Sequence, residues 1–234
     1  MLGVFVNVLT VLVGSSFGLL FRKAIPEKMA AGIMNVLGLC TLYIGIDGMI
    51  NEDFPGHMPL IIIISMVLGT AAGFLMHIHE GINALGDLVE RRFTKSEGQG
   101  SVARGFVTAS LVFCVGAMTV VGSLQAGLEG DNTLLFTKSL LDLISSSMLA
   151  VSLGIGVMLS FLFVLVFQGG LVLLSGVLQP ILTDGAIDAM VCAGSLMIVA
   201  LSFNIIGITK LKVANYLPAL VFAPAVWWLW ELIA

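Results

Sequence analysis

Charge is scarce in this chain. Asp, Glu, Lys and Arg make up 10% of its 234 residues, where a soluble domain carries about 25%. So little charge excludes an ordinary globular enzyme, a disordered segment and a nucleic-acid binder, which needs a basic surface. Cysteine is also scarce. Cys40, Cys114 and Cys192 all fall inside apolar stretches with no CxxC spacing, so each reads as a small buried hydrophobe, not a disulfide half or a metal ligand. The groupings that carry enzymatic chemistry are missing too. There is no H-E-x-x-H, no glycine-rich phosphate loop, no G-x-S-x-G elbow and no Ser/His/Asp set. His77-Ile-His79-Glu80 is the nearest approach to a metal motif, but residues i and i+2 do not share a helical face. It reads as an interfacial cap. The sequence points to no enzyme and to no cofactor.

What the chain has in abundance is apolar residues, at 59%, with a mean hydropathy of +1.11. Apolar segments run over roughly 3–21, 29–50, 58–77, 103–128, 133–152, 157–178, 186–208 and 213–233. Runs of about 20 residues predict spanning helices, since barrel strands need only about ten. No positive n-region precedes Gly3–Leu20 and no A-x-A site follows it, so the first run reads as a spanning helix and not a signal peptide. The fold class expected is an all-α polytopic membrane protein of about eight crossings. Seven crossings plus a re-entrant segment is the alternative.

The basic residues set the orientation. Nine of the ten lie in three loops: Arg22, Lys23 and Lys28; Arg91, Arg92, Lys95 and Arg104; and Lys210 with Lys212. The intervening loops at 51–57, 129–132 and 179–185 hold Glu52, Asp53, Glu129, Asp131 and Asp184, and no Lys or Arg. By the positive-inside rule the basic loops are cytoplasmic and both termini lie outside. Placing Lys210 inside then requires 133–152 to return the chain inward, and the turn near Leu153–Gly156 has no charge to mark it. Between Glu80 and Phe93, Ile82, Leu85, Leu88, Val89 and Phe93 share one helical face. This predicts an amphipathic helix, about 80–95, on the cytoplasmic surface.

Sliding residues 5–50 by 156 positions gives nine identities in 46, among them Phe5 with Phe161, Gly14 with Gly170 and Gly38 with Gly194. Pro59 and Pro218 each open a later helix. The domain organisation expected is one integral membrane unit over 1–234. Repeat 1 covers about 3–77 and repeat 2 about 157–233, and they flank a central broken pair at about 103–152. Three-helix repeats displaced by five crossings are inverted, an architecture of secondary transporters.

Polar groups at membrane depth are costly and mark partners or cavities. They concentrate in two stretches. In the first, Gly116, Gly122 and Gly127 with Thr119, Ser123 and Gln125 make a poor continuous helix. A break there would free backbone groups to coordinate a solute, and close packing through small residues is the competing reading. In the second, Lys138 and Asp142 are four apart and can neutralise each other, with Ser139, Ser146 and neighbouring serines alongside. They read either as a proton- or ion-coupling pair, or as a lysine snorkelling at the outer interface. Gln168 precedes Gly169-Gly170, where a helix can bend, and is a candidate cavity lining. Asn7, Asn35 and Asn204 read as interhelical hydrogen-bonding groups more than ligands. Trp227, Trp228 and Trp230 read as an outer aromatic anchor.

The runs FCVGAMTVVGSLQAGLEGD, KSLLD, SLGIGVMLS and YLPAL resemble the YdfK/YqgA-type family of uncharacterised bacterial inner-membrane proteins, a domain-of-unknown-function family. The resemblance covers nearly the whole chain. Where the family carries Tyr-Gln-Gly, this chain has Phe167-Gln168-Gly169. The resemblance implies a multipass protein of the bacterial inner membrane, often taken for a transporter, with no assigned substrate or catalytic residue. The expected function is a small-solute or ion secondary transporter or permease, with a channel or a non-transporting scaffold or sensor subunit as alternatives. The expected partners are the lipid bilayer and an unknown small solute or ion, and no nucleic acid. Eight short helices make a thin wall around a cavity, which also leaves room for a homo-oligomer.

Overall fold

In a bilayer the solvent is itself apolar, so large side chains gain nothing by turning inward and small ones let helices approach. The first helix, α1 (Leu2–Arg22), shows this sorting. Phe5, Leu9, Val13, Phe17 and Leu20 face outward, while Gly3, Asn7, Val11, Gly14, Ser15 and Gly18 are buried. The computed structural model describes residues 1–22, 27–50, 55–84, 101–115 and 117–233, and among them there are helices and no strands. After α1 come α2 (Glu27–Asp47), α3 (Met58–Leu75) and a short α4 over 78–84. The central part holds α5 (Ser101–Cys114), α6 (Ala117–Leu128) and α7 (Thr133–Leu153). The remainder is α8 (Ile155–Leu173), a single turn α9 (Ser175–Leu178), α10 (Asp184–Ile206), a 3-10 turn Val213–Tyr216 and α11 (Ala219–Ile233).

Close approaches at glycines fix the helix directions. Gly3 meets Leu135, Gly14 meets Leu143 and Ser146, and Gly18 meets Ser147 and Ala150. Both numbers rise together, so α1 and α7 are parallel, and this is the most extensive packing in the molecule. Gly105 lies against Leu153 and Val157 while Gly127 lies against Val172 and Ser175. The α5–α6 pair therefore follows α8 from one end to the other. Gly69 meets Ala219 and Gly73 meets Asn215, so α3 and α11 are antiparallel. Gly38 meets Ile206 and Gly48 meets Ser195, which makes α2 antiparallel to α10. Arg22, Arg104, Lys210 and Lys212 consequently share one end of the bundle, as the loop charges predicted. His57 lies at the other, stacked on Trp230 with centroids 5.2 Å apart.

Among the described residues six helical stretches are long and apolar enough to cross a membrane, and seven if α5–α6 is one broken span, in keeping with an all-α polytopic membrane protein. Helix α2, with 21 residues, runs antiparallel to α10, and Gly48, just past its end, meets Ser195. Because α1 ends and α3 begins at opposite ends of the bundle, the chain between them does return. The helical part of that return is α2, whose 21 residues make a rod about 31 Å long. The central pair is broken in one member. The re-entrant alternative for 133–152 fails, since α7 is continuous over Thr133–Leu153. The break lies between α5 and α6, which bend by 62°. The uncharged turn after α7 is one residue, Gly154, at φ 74° and ψ −155°, a conformation that strongly favours glycine.

The helices sort into two groups. Val8, Val11, Phe113, Leu149 and Val164 pack α1, α5, α7 and α8 together. Met58, Ile61, Ala189, Ala223 and Trp227 pack α3, α10 and α11. Between them, Leu111, Val120 and Leu124 of the bent pair meet Met197, Ile198 and Leu220. The bent helix is thus the wedge joining both groups. Of the predicted amphipathic helix, 78–84 is helical and Ile82 packs on this central cluster, while 85–95 lies outside the described residues.

Candidate functional site

Helix α7 carries its charge at depth. Asp131 starts the helix, its Oδ1 accepting from the Thr133 backbone N–H at 2.9 Å and from the Thr133 hydroxyl at 2.6 Å. Nine residues beyond Thr133, about 14 Å at 1.5 Å per residue, sits Asp142, near the middle of the helix. Lys138 Nζ donates to Asp142 Oδ2 at 2.6 Å. The two residues are 6% and 4% exposed. A snorkelling lysine would extend to water, so that reading is excluded. Lys138 is held inside the protein and neutralised there.

Close packing brings a second helix to this pair. The small side of α1 lets its backbone lie against α7, with the Gly3 N–H donating to Asn132 Oδ1 at 2.9 Å. One turn on, Asn7 is fully buried and lies beside Asp142. Its Nδ2 also donates to Gln168 Oε1 of α8 at 3.1 Å, and Thr10 Oγ1 donates to the Asn7 carbonyl at 2.8 Å. Lys138, Asp142, Asn7 and Gln168 thus form one polar cluster shared by three helices. Gln168 Nε2 is buried with no hydrogen-bond partner among the described residues. A buried amide left so costs about 1–3 kcal/mol. Cys114, at the end of α5, is close enough to feel the charges of both Lys138 and Asp142.

The other sequence-predicted residues divide between this cluster and the packing around it. Thr119 is buried, and its hydroxyl donates to the Phe113 carbonyl at 3.1 Å. That bond bridges the bend and satisfies a carbonyl the helix break releases. Gly122 packs against Leu134 and Leu135 of α7, a close-packing role. Ser123 is fully buried and its hydroxyl has no partner among the described residues. Gln125 is half-buried. Gly116 lies outside the described residues. Ser139 donates to its own helix at Leu135, 2.7 Å away, and Ser146 to Leu143 at 3.1 Å. Ser146 lies under Gly14, so it serves the α1–α7 contact.

A cavity of about 520 Å³ lies at the basic end. His79, Asn83, Arg104, Lys210 and Lys212 line it, over a floor that includes Val107 and Leu201. From Val107 to Cys114 is about 10 Å along α5, so this helix runs from the cavity toward the polar cluster. Asn204 is not an interhelical group but a loop clamp. Its Oδ1 accepts from Thr209 Oγ1 at 2.7 Å and from the Leu211 N–H at 2.8 Å, and its Nδ2 donates to the Leu211 carbonyl at 2.8 Å. Lys212 Nζ donates to Glu80 Oε1 at 3.0 Å. The His77–Glu80 stretch follows the end of α3, with the His79 N–H donating to Asn215 Oδ1 at 2.8 Å. Among the described residues no group of His, Cys, Asp and Glu has the makings of a metal site.

Sequence reasoning passed over Asn7 as a site residue. The signal available was its place on the small face of α1, in line with Gly3 and Gly14, which is the face able to reach another helix's polar groups.

Comparison with known proteins gives the same extent throughout. The family described as a protein of unknown function (DUF554) matches residues 2–228. The chain is 29% identical over 226 residues to the uncharacterized membrane protein YdfK of Bacillus subtilis (strain 168), covering 97% of this chain and 95% of that protein. It is 28% identical over 235 residues to the uncharacterized protein YqgA of Escherichia coli (strain K12), covering 98% of each. No solved structure matches.

Proposed function

Since the chain belongs to the DUF554 family of multi-pass membrane proteins, we propose that it is a secondary transporter or permease for a small solute or ion, built around the Lys138–Asp142 pair. The observation that carries this reading is a neutralised Lys–Asp pair, buried at the middle of a spanning helix and joined to Asn7 and Gln168 on two further helices. Such a pair costs desolvation energy that a hydrophobic pair of similar size would not. Its use is that its state can change. When Asp142 takes a proton, Lys138 loses its counter-charge and can hold an anionic solute. When the proton leaves, the pair re-forms and the solute is released.

The packing supports inverted repeats. α1 lies against α8, α2 against α10 and α3 against α11, and these are the pairs that the 156-residue shift relates. In such folds the coupling site sits near the midplane at the repeat interface, which is where α1, α7 and α8 meet. The basic end is read as cytoplasmic and both termini as external. The protein acts without covalent catalysis, and its environment is a bacterial inner membrane.

Proteoliposomes enclosing a pH-sensitive dye test the proposal. A solute from a panel of small anions and cations should drive proton movement with the wild type and not with Asp142→Asn. Flux that persists after proton and sodium gradients are collapsed would instead indicate a channel. A variant that loses assembly while the wild type moves nothing would indicate a scaffold or sensor.

A further inference from the structure

The cavity at the basic end differs in character from the polar cluster. Three cations line it, Arg104, Lys210 and Lys212, and among the described residues no Asp or Glu does. Lys212 is already committed to Glu80 at 3.0 Å. Arg104 and Lys210 have no ion-pair partner among the described residues. Both are solvent-exposed and face a common concavity. A concave site lined by one sign of charge focuses its potential on whatever enters. The positive-inside rule explains why these residues are at this end of the molecule. It does not explain why two cations without an ion-pair partner among the described residues line one cavity with an apolar floor of Ala103, Val107 and Leu201, all buried. The volume, about 520 Å³, falls in the range of small-molecule sites, about 300–1,000 Å³.

We infer that this cavity binds a small organic anion, its carboxylate or phosphate held by Arg104 and Lys210 and its apolar body resting on Val107 and Leu201. Arg104 supplies planar, forked N–H donors suited to either anion, and Lys210 a mobile ammonium. Asn83 adds a neutral side-chain amide at the rim. The inference rests on the transport reading in one respect, since it makes the anion the transported solute. The floor leads along α5 to Cys114 and so to Lys138, which would be the next cation on the route. Glu80 competes for the third cation, so the structure also holds a brake on anion affinity.

The same group chemistry is present on an anionic lipid headgroup, and the experiment separates the two sources. The full-length protein is placed in nanodiscs of phosphatidylcholine, alone or mixed with phosphatidylglycerol, and binding of butyl phosphate, hexanoate and hexylamine is measured by calorimetry. Butyl phosphate or hexanoate should bind in pure phosphatidylcholine and hexylamine should not. Arg104→Gln with Lys210→Gln should weaken binding by about tenfold or more, while Arg104→Lys retains most of it. Glu80→Gln should tighten binding several-fold by releasing Lys212, a change of sign that simple misfolding would not produce. Failure of both soluble anions to bind overturns the inference. So does stabilisation by phosphatidylglycerol alone, which would make this a headgroup contact. Anion binding without any flux would leave the site standing and overturn the transport reading. Proton-coupled flux of a cation, with no anion bound, would do the reverse.

Discussion

Asn7 Nδ2 and Gln168 Oε1 are 3.1 Å apart although 161 residues separate them in the chain. The bond joins the first helix to the eighth at the level of Asp142, so it ties the depth of one helix to that of another. Replacing either partner with leucine leaves the other buried and unpaired, at about 1–2 kcal/mol. The double variant should recover part of this, because hydrogen bonds between spanning helices are worth only about 0.6 kcal/mol on average. Unfolding in detergent of the two single variants and the double measures the coupling. Strict additivity would show that the bond contributes nothing.

Lys138 and Asp142 should behave as a pair under substitution. Lys138→Met alone strands a buried carboxylate and is expected to cost about 3–5 kcal/mol, unless the carboxylate takes up a proton. Lys138→Met with Asp142→Leu removes both charges and should be close to wild type in thermal stability, while losing all gradient-driven flux. A double variant less stable than the single one would mean that the pair holds the fold together and is not retained for function.

The link between Lys212 and Glu80 has a pH signature. The hydrogen bond from Lys212 holds the Glu80 carboxyl below its ordinary value. A carboxyl lowered in the folded state stabilises it above the unfolded value, about 4.3, and that contribution is lost as pH falls through the lower folded value. The contact is therefore intact throughout the neutral range and opens only in acid. Carboxyl carbon resonance titration should place Glu80 below the ordinary midpoint in the wild type. In Lys212→Gln the midpoint should return toward it. An unchanged midpoint would show that the contact is not formed in solution.

Two glycines should respond oppositely to alanine. A Cβ on Gly73 would meet the backbone of Asn215, which cannot step aside without moving the 3-10 turn. Gly73→Ala should cost about 1–3 kcal/mol. Gly32, within α2, has open space around it, and Gly32→Ala should gain up to about 1 kcal/mol of helix propensity. Melting temperatures of the two purified variants check the contrast.

Much of the architecture was legible in the chain because a membrane imposes it. Runs near 20 residues gave the helices, and loop charges placed Arg22, Arg104 and Lys210 at one end. The glycines around Thr119 marked the break. Lys138 was harder. Its i,i+4 spacing to Asp142 is written in the sequence, but nothing local tells whether lipid, water or protein surrounds it, and that decided between snorkelling and burial. Asn7 and Gln168 each looked like a solitary amide, because their relation exists only once α1 and α8 are packed. The register of α2 has the same origin. Its apolarity was visible, but its offset along α10 depends on where Gly38 and Gly48 find Ile206 and Ser195.

The 62° bend between α5 and α6 has a mechanical consequence. Both arms pack on α7, α8 and α10, and α6, with 12 residues, is about 18 Å long. A change of about 10° at the elbow would swing its far tip by about 3 Å, close to the width of a water molecule, with no helix unwinding and every intrahelical hydrogen bond kept. A straight rod of the same length would have to tilt as a whole, moving its Arg104 end as well. The elbow lets a small local rotation open or close a crevice at the far end while the Arg104 end stays where it is.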